Sequence, residues 1–225
     1  MYKFVFLDTD DTLLDFHMSE RAAITESFRR FGLAPTDELI ARYSAINKAT
    51  WERMERGEIT RDRVLIERFE RLFGEIGAEI DPQTFENTYQ VLLGQHAYPI
   101  AGAMDILAYL RPKYNLYIVS NGVAATQDSR LRDAGLTPWF DNIFISERVG
   151  FHKPEKAFFD VCFAQIPGFS REQAIIVGDS LSSDILGGKN AGVATCWFNY
   201  RRKAPRDDIR PDYTVDSLEE LKTIL

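Results

Sequence analysis

The chain has 225 residues, and its 27 Lys and Arg against 34 Asp and Glu give a formal net charge of −7. Such an acidic chain is a poor candidate for binding nucleic-acid polymers or anionic membranes, which depends on an excess of Lys and Arg. No apolar run is long enough for a membrane span, and the N-terminus lacks the features of a signal peptide, so we expect a cytoplasmic protein. Cys162 and Cys196 lie within apolar runs and are expected to be buried thiols.

Five short apolar runs, rich in β-branched and aromatic residues, predict strands that are buried on both faces. They cover residues 2–7, 116–119, 143–145, 174–177 and 194–198. Helical patterns lie between the later runs. Strands that alternate with helices are typical of a parallel sheet, so the sequence predicts an α/β fold with a Rossmann-like, doubly wound parallel sheet.

Residues 15–99 interrupt this alternation, because they contain no strand-like run and several stretches of helical period. Apolar residues recur at helical spacing in three groups: Ile24, Phe28 and Phe31; Leu39, Tyr43 and Ile46; and Leu65, Phe69, Leu72, Phe73 and Ile76. We therefore predict two domains, a discontinuous core of residues 1–14 and 100–225 and an all-helical insertion of residues 15–99.

Carboxylates crowd the ends of two predicted strands. Asp8, Asp10 and Asp11 follow the first strand, and Asp179 and Asp184 follow the fourth. The carboxyl ends of parallel strands share one edge of the sheet, where ligands bind. Clustered carboxylates there would suit Mg²⁺, a hard cation that prefers oxygen ligands. Taken alone, the first group could equally be the acidic N-cap of a helix.

Two further segments carry groups that could hold an anion. Ser120 and Asn121, before Gly122, end the second strand with a hydroxyl and backbone N–H groups, and Lys153 stands beside Pro154. Each has an ordinary alternative, a turn for the first and a surface lysine for the second. Their order along the chain, between the two acidic clusters, favours a single phosphate-handling site.

These segments, in this order, resemble the four motifs of the haloacid dehalogenase superfamily of aspartyl phosphatases. The matches are Asp8-Thr9-Asp10-Asp11-Thr12, Ser120-Asn121, Lys153-Pro154, and Gly178-Asp179 with Asp184. The helical insertion stands where that family carries a C1-type cap. Many members have Gly at the position of Asp11, and Asp there is similar to the pyrimidine 5′-nucleotidase branch.

The resemblance implies a Mg²⁺-dependent phosphatase with Asp8 as the nucleophile and Asp10 as the general acid and base. Ser120 and Lys153 would share in catalysis. The implied metal ligands are Asp8, Asp10, Asp179 and Asp184, and the implied phosphate-binding residues are Thr12, Ser120, Asn121 and Lys153.

The expected substrate is a small phosphomonoester, most simply a nucleoside 5′-monophosphate, hydrolysed by a monomer or small homo-oligomer. Trp51, in the helical insertion, is a candidate for stacking on a base. The basic residues Arg201, Arg202, Lys203 and Arg206 predict a solvated loop rather than a nucleic-acid patch.

Other functions stay open at this point. A sugar-phosphate phosphatase or mutase of the same superfamily would keep all four motifs. A 2-haloacid dehalogenase would not use Mg²⁺ and typically lacks an acid at the position of Asp10. A receiver-type signalling domain also combines Asp, a hydroxyl and Lys, but it lacks a helical insertion after the first strand. P-loop and dinucleotide-binding sequences are absent.

Overall fold

The structure, a computed structural model, describes all of residues 1–225. The chain divides into two compact units. One comprises Met1–Phe16 together with Tyr98–Leu225, and the other comprises His17–Ala97. None of the helices has the length and apolar character that crossing a bilayer requires.

The first unit contains a six-stranded sheet in which every neighbouring pair of strands is parallel. The strands are β1 (Phe4–Leu7), β2 (Asn115–Ser120), β3 (Asn142–Ile145), β4 (Ala174–Gly178), β5 (Ala194–Phe198) and β6 (Tyr213–Val215), in the spatial order β3-β2-β1-β4-β5-β6. This arrangement confirms the predicted fold class. The first strand begins at Phe4 rather than Tyr2. The sequence did not predict β6, because two of its three residues are exposed.

Helices cover both faces of this sheet. They are α5 (Ala103–Leu110), α6 (Ala124–Asp133), α7 (Ser146–Val149), α8 (Lys156–Ala164) and α9 (Leu186–Ala191), with 3₁₀ turns at Thr137–Trp139, Arg171–Gln173 and Leu218–Thr223 and a π-helical turn at Leu181–Ile185. Successive side chains of a strand point to opposite faces. In β1, Val5 and Leu7 join the core under α5, and Phe4 and Phe6 join the core under α8. Both predicted core thiols, Cys162 and Cys196, are buried.

The second unit is entirely helical, in agreement with the periodicity of the sequence. It contains α1, which begins at Phe16 in the first unit and ends at Arg30, α2 (Asp37–Glu55), α3 (Arg61–Ile76) and α4 (Pro82–Gly94). The starts of α2, α3 and α4 are each capped by a side chain that accepts a backbone N–H, those of Thr36, Thr60 and Asp81. Most residues of the predicted apolar faces are buried, whereas four at their ends are only partly covered: Phe31, Leu39, Leu65 and Ile76.

A network of buried polar side chains crosses the middle of this helical unit. Arg68 is 2% exposed, and its guanidinium bonds the Glu86 carboxylate at 2.6 Å and the Asn47 amide oxygen at 2.9 Å. The Asn47 amide nitrogen donates in turn to Glu20 at 2.7 Å. The guanidinium also lies 5.0 Å from the ring centroids of Phe69 and Tyr89. A buried ion pair of this kind depends on both partners, because either one alone is an uncompensated charge.

We therefore predict that Arg68→Met lowers the free energy of unfolding by about 3–5 kcal/mol, since it leaves the Glu86 carboxylate buried without its cation. The measurement is urea unfolding followed by circular dichroism. The matched control is Arg71→Met, an exposed position on the same helix, which we expect to change stability by less than about 0.5 kcal/mol. Equal effects of the two substitutions would contradict the assignment.

Candidate active site

The first acidic segment is held at the carboxyl edge of the sheet by an extension of strand pairing. The Asp8 N–H donates to the Val177 carbonyl at 3.0 Å, which continues the pairing of β1 with β4 by one residue. The chain then turns sharply, because the N–H groups of Leu13 and Leu14 both donate to the Thr9 carbonyl. This turn returns the Thr12 hydroxyl to the Asp8 carboxylate at 3.3 Å. Asp8 is thus buried and fixed at the edge of the sheet.

Lys153 lies at the centre of the site. Its ammonium donates at 2.7 Å to three acceptors, the carboxylates of Asp8 and Asp184 and the carbonyl of Val119. An ammonium has three N–H donors, so all of them are engaged. Burial alone would lower the pKa of Lys153, but the carboxylates of Asp184 and Asp8 outweigh it and raise that pKa above its ordinary value. Lys153 therefore carries a full positive charge in the interior.

Two hydrogen bonds from Asn121, in the second motif, hold the main chain at Lys153 in place. Asn121 accepts the Lys153 N–H on its side-chain oxygen and donates its side-chain N–H to the Lys153 carbonyl, both at 2.9 Å. Sequence reasoning assigned Asn121 a backbone role toward phosphate. The structure adds a second role for its side chain, which fixes the position of the lysine.

Asp184 reaches the site because Gly178 makes room for it. A Cβ atom at Gly178 would lie 2.2 Å from the Asp184 carboxylate, too close for any other residue. Asp184 lies in the π-helical turn that follows β4, and its second oxygen accepts the Ser180 N–H at 3.1 Å. Such turns recur at functional sites, where they change the direction of a side chain.

Three carboxylates meet here, since ligand oxygens of Asp8, Asp179 and Asp184 all lie within 4.8 Å of one another. Burial raises the pKa of Asp8 well above its ordinary value, and the ammonium of Lys153 only partly offsets this. Burial likewise raises the pKa of Asp179 to about 7, against the opposing effect of Lys203. The negative charge exceeds what the lysines offset. A set of buried oxygen ligands with surplus negative charge fits a hard divalent cation such as Mg²⁺.

The basic loop after β5 is exposed to solvent, as predicted, and two of its residues also reach this site. The Lys203 ammonium donates to Asp179 at 2.5 Å, and the Arg201 guanidinium donates to Asp11 at 3.3 Å and to Asp15 at 3.1 Å. Arg202 and Arg206 are exposed as well, and neither contacts these acidic residues. The sequence shows these cations as a run of like charge, and their acidic partners are distant along the chain.

Asp10 lies at the rim of the site, where its side chain is 29% exposed. Both of its carboxylate oxygens accept hydrogen bonds, one from Gln127 at 2.7 Å and the other from Arg130 at 2.5 Å. The Gln127 side chain also donates to the Ser120 hydroxyl at 2.8 Å. Sequence reasoning missed Gln127 and Arg130, because neither belongs to a motif and no local pattern marks them.

The remaining predicted residue lies in the other unit. Trp51 is on α2 and is partly buried. Its role in substrate selection stays a prediction.

Comparison with known proteins agrees with the motifs. A protein-family model described as a haloacid dehalogenase-like hydrolase matches residues 2–192. YfnB of Bacillus subtilis, a HAD-hydrolase by name, is 43% identical over 100% of this chain and 95% of its own length. A crystal structure of YfnB bound to magnesium superimposes with a TM-score of 0.96 and covers 100% of this chain and 98% of that one.

Two further relatives carry a named activity. The pyrimidine 5′-nucleotidase PynA of Streptococcus pneumoniae is 38% identical over 98% of this chain and 93% of its own length. The pyrimidine 5′-nucleotidase YjjG of Escherichia coli is 34% identical over 100% of this chain and 98% of its own length. The similarity in each case spans the helical insertion as well as the sheet.

The raised pKa of Asp179, caused chiefly by burial, predicts how this residue affects stability without metal. Its folded pKa is raised from 3.8 to about 7, so the unfolded state loses its proton first and stability falls as the pH rises through that window. In EDTA at pH 8, Asp179→Asn should therefore increase the free energy of unfolding, on the order of 1–3 kcal/mol. At pH 4 the gain should largely vanish.

Asp179→Asn should thus be more stable than the wild type without metal, and added Mg²⁺ should reverse this order of stability. Millimolar Mg²⁺ is expected to raise the melting temperature of the wild-type protein, because a ligand that binds only the folded state stabilises it, and to leave that of Asp179→Asn unchanged. The control is Asp207→Asn, an exposed carboxylate in the nearby loop, which should match the wild type in both conditions. An equal response of Asp179→Asn to Mg²⁺ would rule out Asp179 as a ligand.

Proposed function

The chain belongs to the haloacid dehalogenase-like hydrolases, and we propose that it is a Mg²⁺-dependent phosphatase that hydrolyses a nucleoside 5′-monophosphate through an aspartyl-phosphate. One observation carries the proposal. Asp8 is a buried carboxylate, held by Lys153 and Thr12, and Asp10 stands two residues away at the rim of the same site. This pairs a fixed nucleophile with an accessible proton carrier.

In the first half of the reaction, the Asp8 carboxylate attacks phosphorus while the bond from phosphorus to the leaving oxygen breaks. Asp10 gives its proton to that oxygen, so the alcohol leaves neutral. The product is an acyl phosphate on Asp8. Covalent catalysis of this kind divides one difficult displacement into two easier ones.

In the second half, a water molecule attacks the same phosphorus and the bond to Asp8 breaks. The Asp10 carboxylate takes the proton of the water, inorganic phosphate leaves and both residues return to their starting forms. Asp10 therefore needs access to the leaving group and then to water, which its exposed position at the rim supports.

The other motif residues would offset charge and hold the phosphate. Ser120 and the Asn121 N–H would bind non-reacting oxygens, as would Lys153, which must exchange one of its three present hydrogen bonds to do so. Transfer of a phosphoryl group depends chiefly on such positioning and charge stabilisation.

The metal would be held by the carboxylates of Asp8, Asp179 and Asp184 with the main-chain carbonyl of Asp10. Bound Mg²⁺ would supply the positive charge that lets an anionic carboxylate approach an anionic phosphate. Asp184 would also keep Lys153 charged and oriented. The surplus negative charge of the site and the magnesium-bound structure of YfnB support this assignment.

The choice of a nucleotide as substrate rests on the relatives. PynA and YjjG are named as pyrimidine 5′-nucleotidases and are similar to this chain over nearly its full length. The presence of Asp10 and of the acidic cluster argues against a 2-haloacid dehalogenase, which needs neither a leaving-group acid nor a metal. Trp51 is the proposed residue for contact with the base.

We predict that the protein releases phosphate from pyrimidine nucleoside 5′-monophosphates with a kcat/KM at least about tenfold above that for purine nucleotides or sugar phosphates. EDTA should abolish turnover, and excess Mg²⁺ should restore it. A malachite-green assay over this panel measures both effects. Turnover that survives chelation would contradict the metal-dependent phosphatase, whereas equal rates on sugar phosphates would remove only the nucleotidase refinement.

We also predict that Asp8→Asn lowers kcat by about 10³-fold or more, because the amide is too weak a nucleophile to form the acyl phosphate. Circular dichroism should show an unchanged fold. Mass spectrometry of acid-quenched protein should detect covalent phosphate in the wild type and none in the variant. Asp105→Asn, an exposed carboxylate in α5, serves as the control and should keep full activity. An active Asp8→Asn protein would exclude Asp8 as the nucleophile.

A further inference from the structure

Helix α6 buries two long polar side chains, those of Gln127 and Arg130, that lie outside all four motifs. We propose that Gln127 and Arg130 are positioning residues, which together fix the carboxylate of Asp10 and tie it to the hydroxyl of Ser120. This inference rests on the proposed function, because it assigns a purpose to a contact with the general acid. It adds two residues to the site that the motifs do not contain.

The geometry is that of a closed network. Gln127 and Arg130 are three positions apart, and side chains at that spacing share one face of a helix. The Arg130 guanidinium donates to one oxygen of Asp10 at 2.5 Å and to the Gln127 carbonyl oxygen at 3.0 Å. The Gln127 amide nitrogen donates to the other oxygen of Asp10 at 2.7 Å and to Ser120 at 2.8 Å. Both N–H groups of that amide are thus engaged.

The helix gains nothing by burying these side chains unless their polar groups are paired. Gln127 and Arg130 are each 1% exposed, and a buried amide or guanidinium is costly without partners. An apolar residue at either position would pack against the core without that cost. The partners that offset it here are the residues proposed to move the proton and to hold the phosphate.

Gly122 provides the space for this network. A Cβ atom there would lie 2.6 Å from the Gln127 amide nitrogen and 2.8 Å from its Cγ atom. The glycine that follows Ser120 and Asn121 therefore lets Gln127 approach the second motif. The N–H of Gly122 also donates to the Ser120 hydroxyl at 3.2 Å.

The consequence concerns the leaving group. Asp10 is joined to the sheet by a short loop, and its carboxylate is oriented by two hydrogen bonds from α6. Ser120 is oriented by the same amide, so one network sets the distance between a bound phosphate and the proton donor. If that orientation is lost, substrates whose leaving oxygen needs a proton should suffer more than substrates whose leaving group departs as a stable anion.

The experiment compares two substrates with unlike leaving groups. The leaving group of a nucleoside 5′-monophosphate is the nucleoside, whose 5′-oxygen must be protonated as it leaves. The leaving group of p-nitrophenyl phosphate is p-nitrophenolate, a stabilised anion that needs no proton. We compare kcat/KM, because this ratio reports the steps up to departure of the leaving group and not the later hydrolysis of the acyl phosphate. For Arg130→Met, we expect losses of about 10²-fold on the nucleotide and less than about fivefold on p-nitrophenyl phosphate. For Gln127→Met, which also frees Ser120, we expect losses on both substrates, with the loss on the nucleotide clearly the larger.

Further variants distinguish the loss of Asp10 positioning from a general loss of stability. Arg130→Lys keeps a cation and should retain more nucleotide activity than Arg130→Met. Gln127→Glu keeps the shape but replaces the donor with an acceptor that faces Asp10, so it should lose at least as much as Gln127→Met. Arg132→Met, on the exposed face of the same helix, should match the wild type. Urea unfolding identifies any variant that fails to fold, and the Lys and Glu variants then carry the test.

The possible outcomes distinguish failure of the positioning role from failure of the proposed phosphatase function. Equal losses on the two substrates, or none on the nucleotide, would overturn the positioning role while leaving a working phosphatase. If the wild-type protein hydrolyses neither substrate in Mg²⁺, the proposed function itself is wrong and the positioning role falls with it.

Discussion

The site depends on a balance between closely placed charges of opposite sign. Asp8, Asp179 and Asp184 bring three carboxylates within 4.8 Å, and the ammonium groups of Lys153 and Lys203 contact them without neutralising all three. Burial raises the pKa values of Asp8 and Asp179, and the neighbouring carboxylates add to this, so the folded protein disfavours their charged forms. Folding brings the carboxylates together nonetheless. A cation that binds there relieves their repulsion, and this relief adds to the free energy of cation binding.

The topology of the sheet makes this concentration of charge possible. β1 is flanked by β2 and β4, so three strand ends from distant parts of the chain meet at one edge. Their hydrophobic residues are buried on both faces and hold the strand ends in place. Polar side chains can then converge at this edge, and Gly178 and Gly122 provide the space that two of them need. A core of ordinary apolar residues therefore supports a site whose own electrostatics are unfavourable.

Sequence reasoning succeeded where the signal is local and failed where it is distant. Short apolar runs predicted five of the six strands, and the rule that strand ends share an edge placed Asp8 beside Asp179 and Asp184. No local pattern marks Gln127 or Arg130, whose partner Asp10 is more than a hundred residues away in the chain. The loop with Arg201 and Lys203 has the composition of a solvated segment, and only the folded chain reveals its acidic partners. β6 is short and mainly exposed, so it lacks the apolar run by which a buried strand is recognised.

The position of Asp11 shows how one departure from a family pattern can have a structural cause. Its backbone adopts a φ of 56°, the left-handed region that favours glycine, and Asp there is strained by roughly 1 kcal/mol. The carboxylate offsets that strain, because it accepts the N–H of Phe16 at 3.1 Å, the hydroxyl of Tyr200 at 3.1 Å and the guanidinium of Arg201 at 3.3 Å. Glycine would adopt the same turn but could make none of these bonds. Asp11 thus links the loop that carries Lys203 to the loop that carries Asp8. These structural contacts explain an Asp at this position without any contact to a substrate.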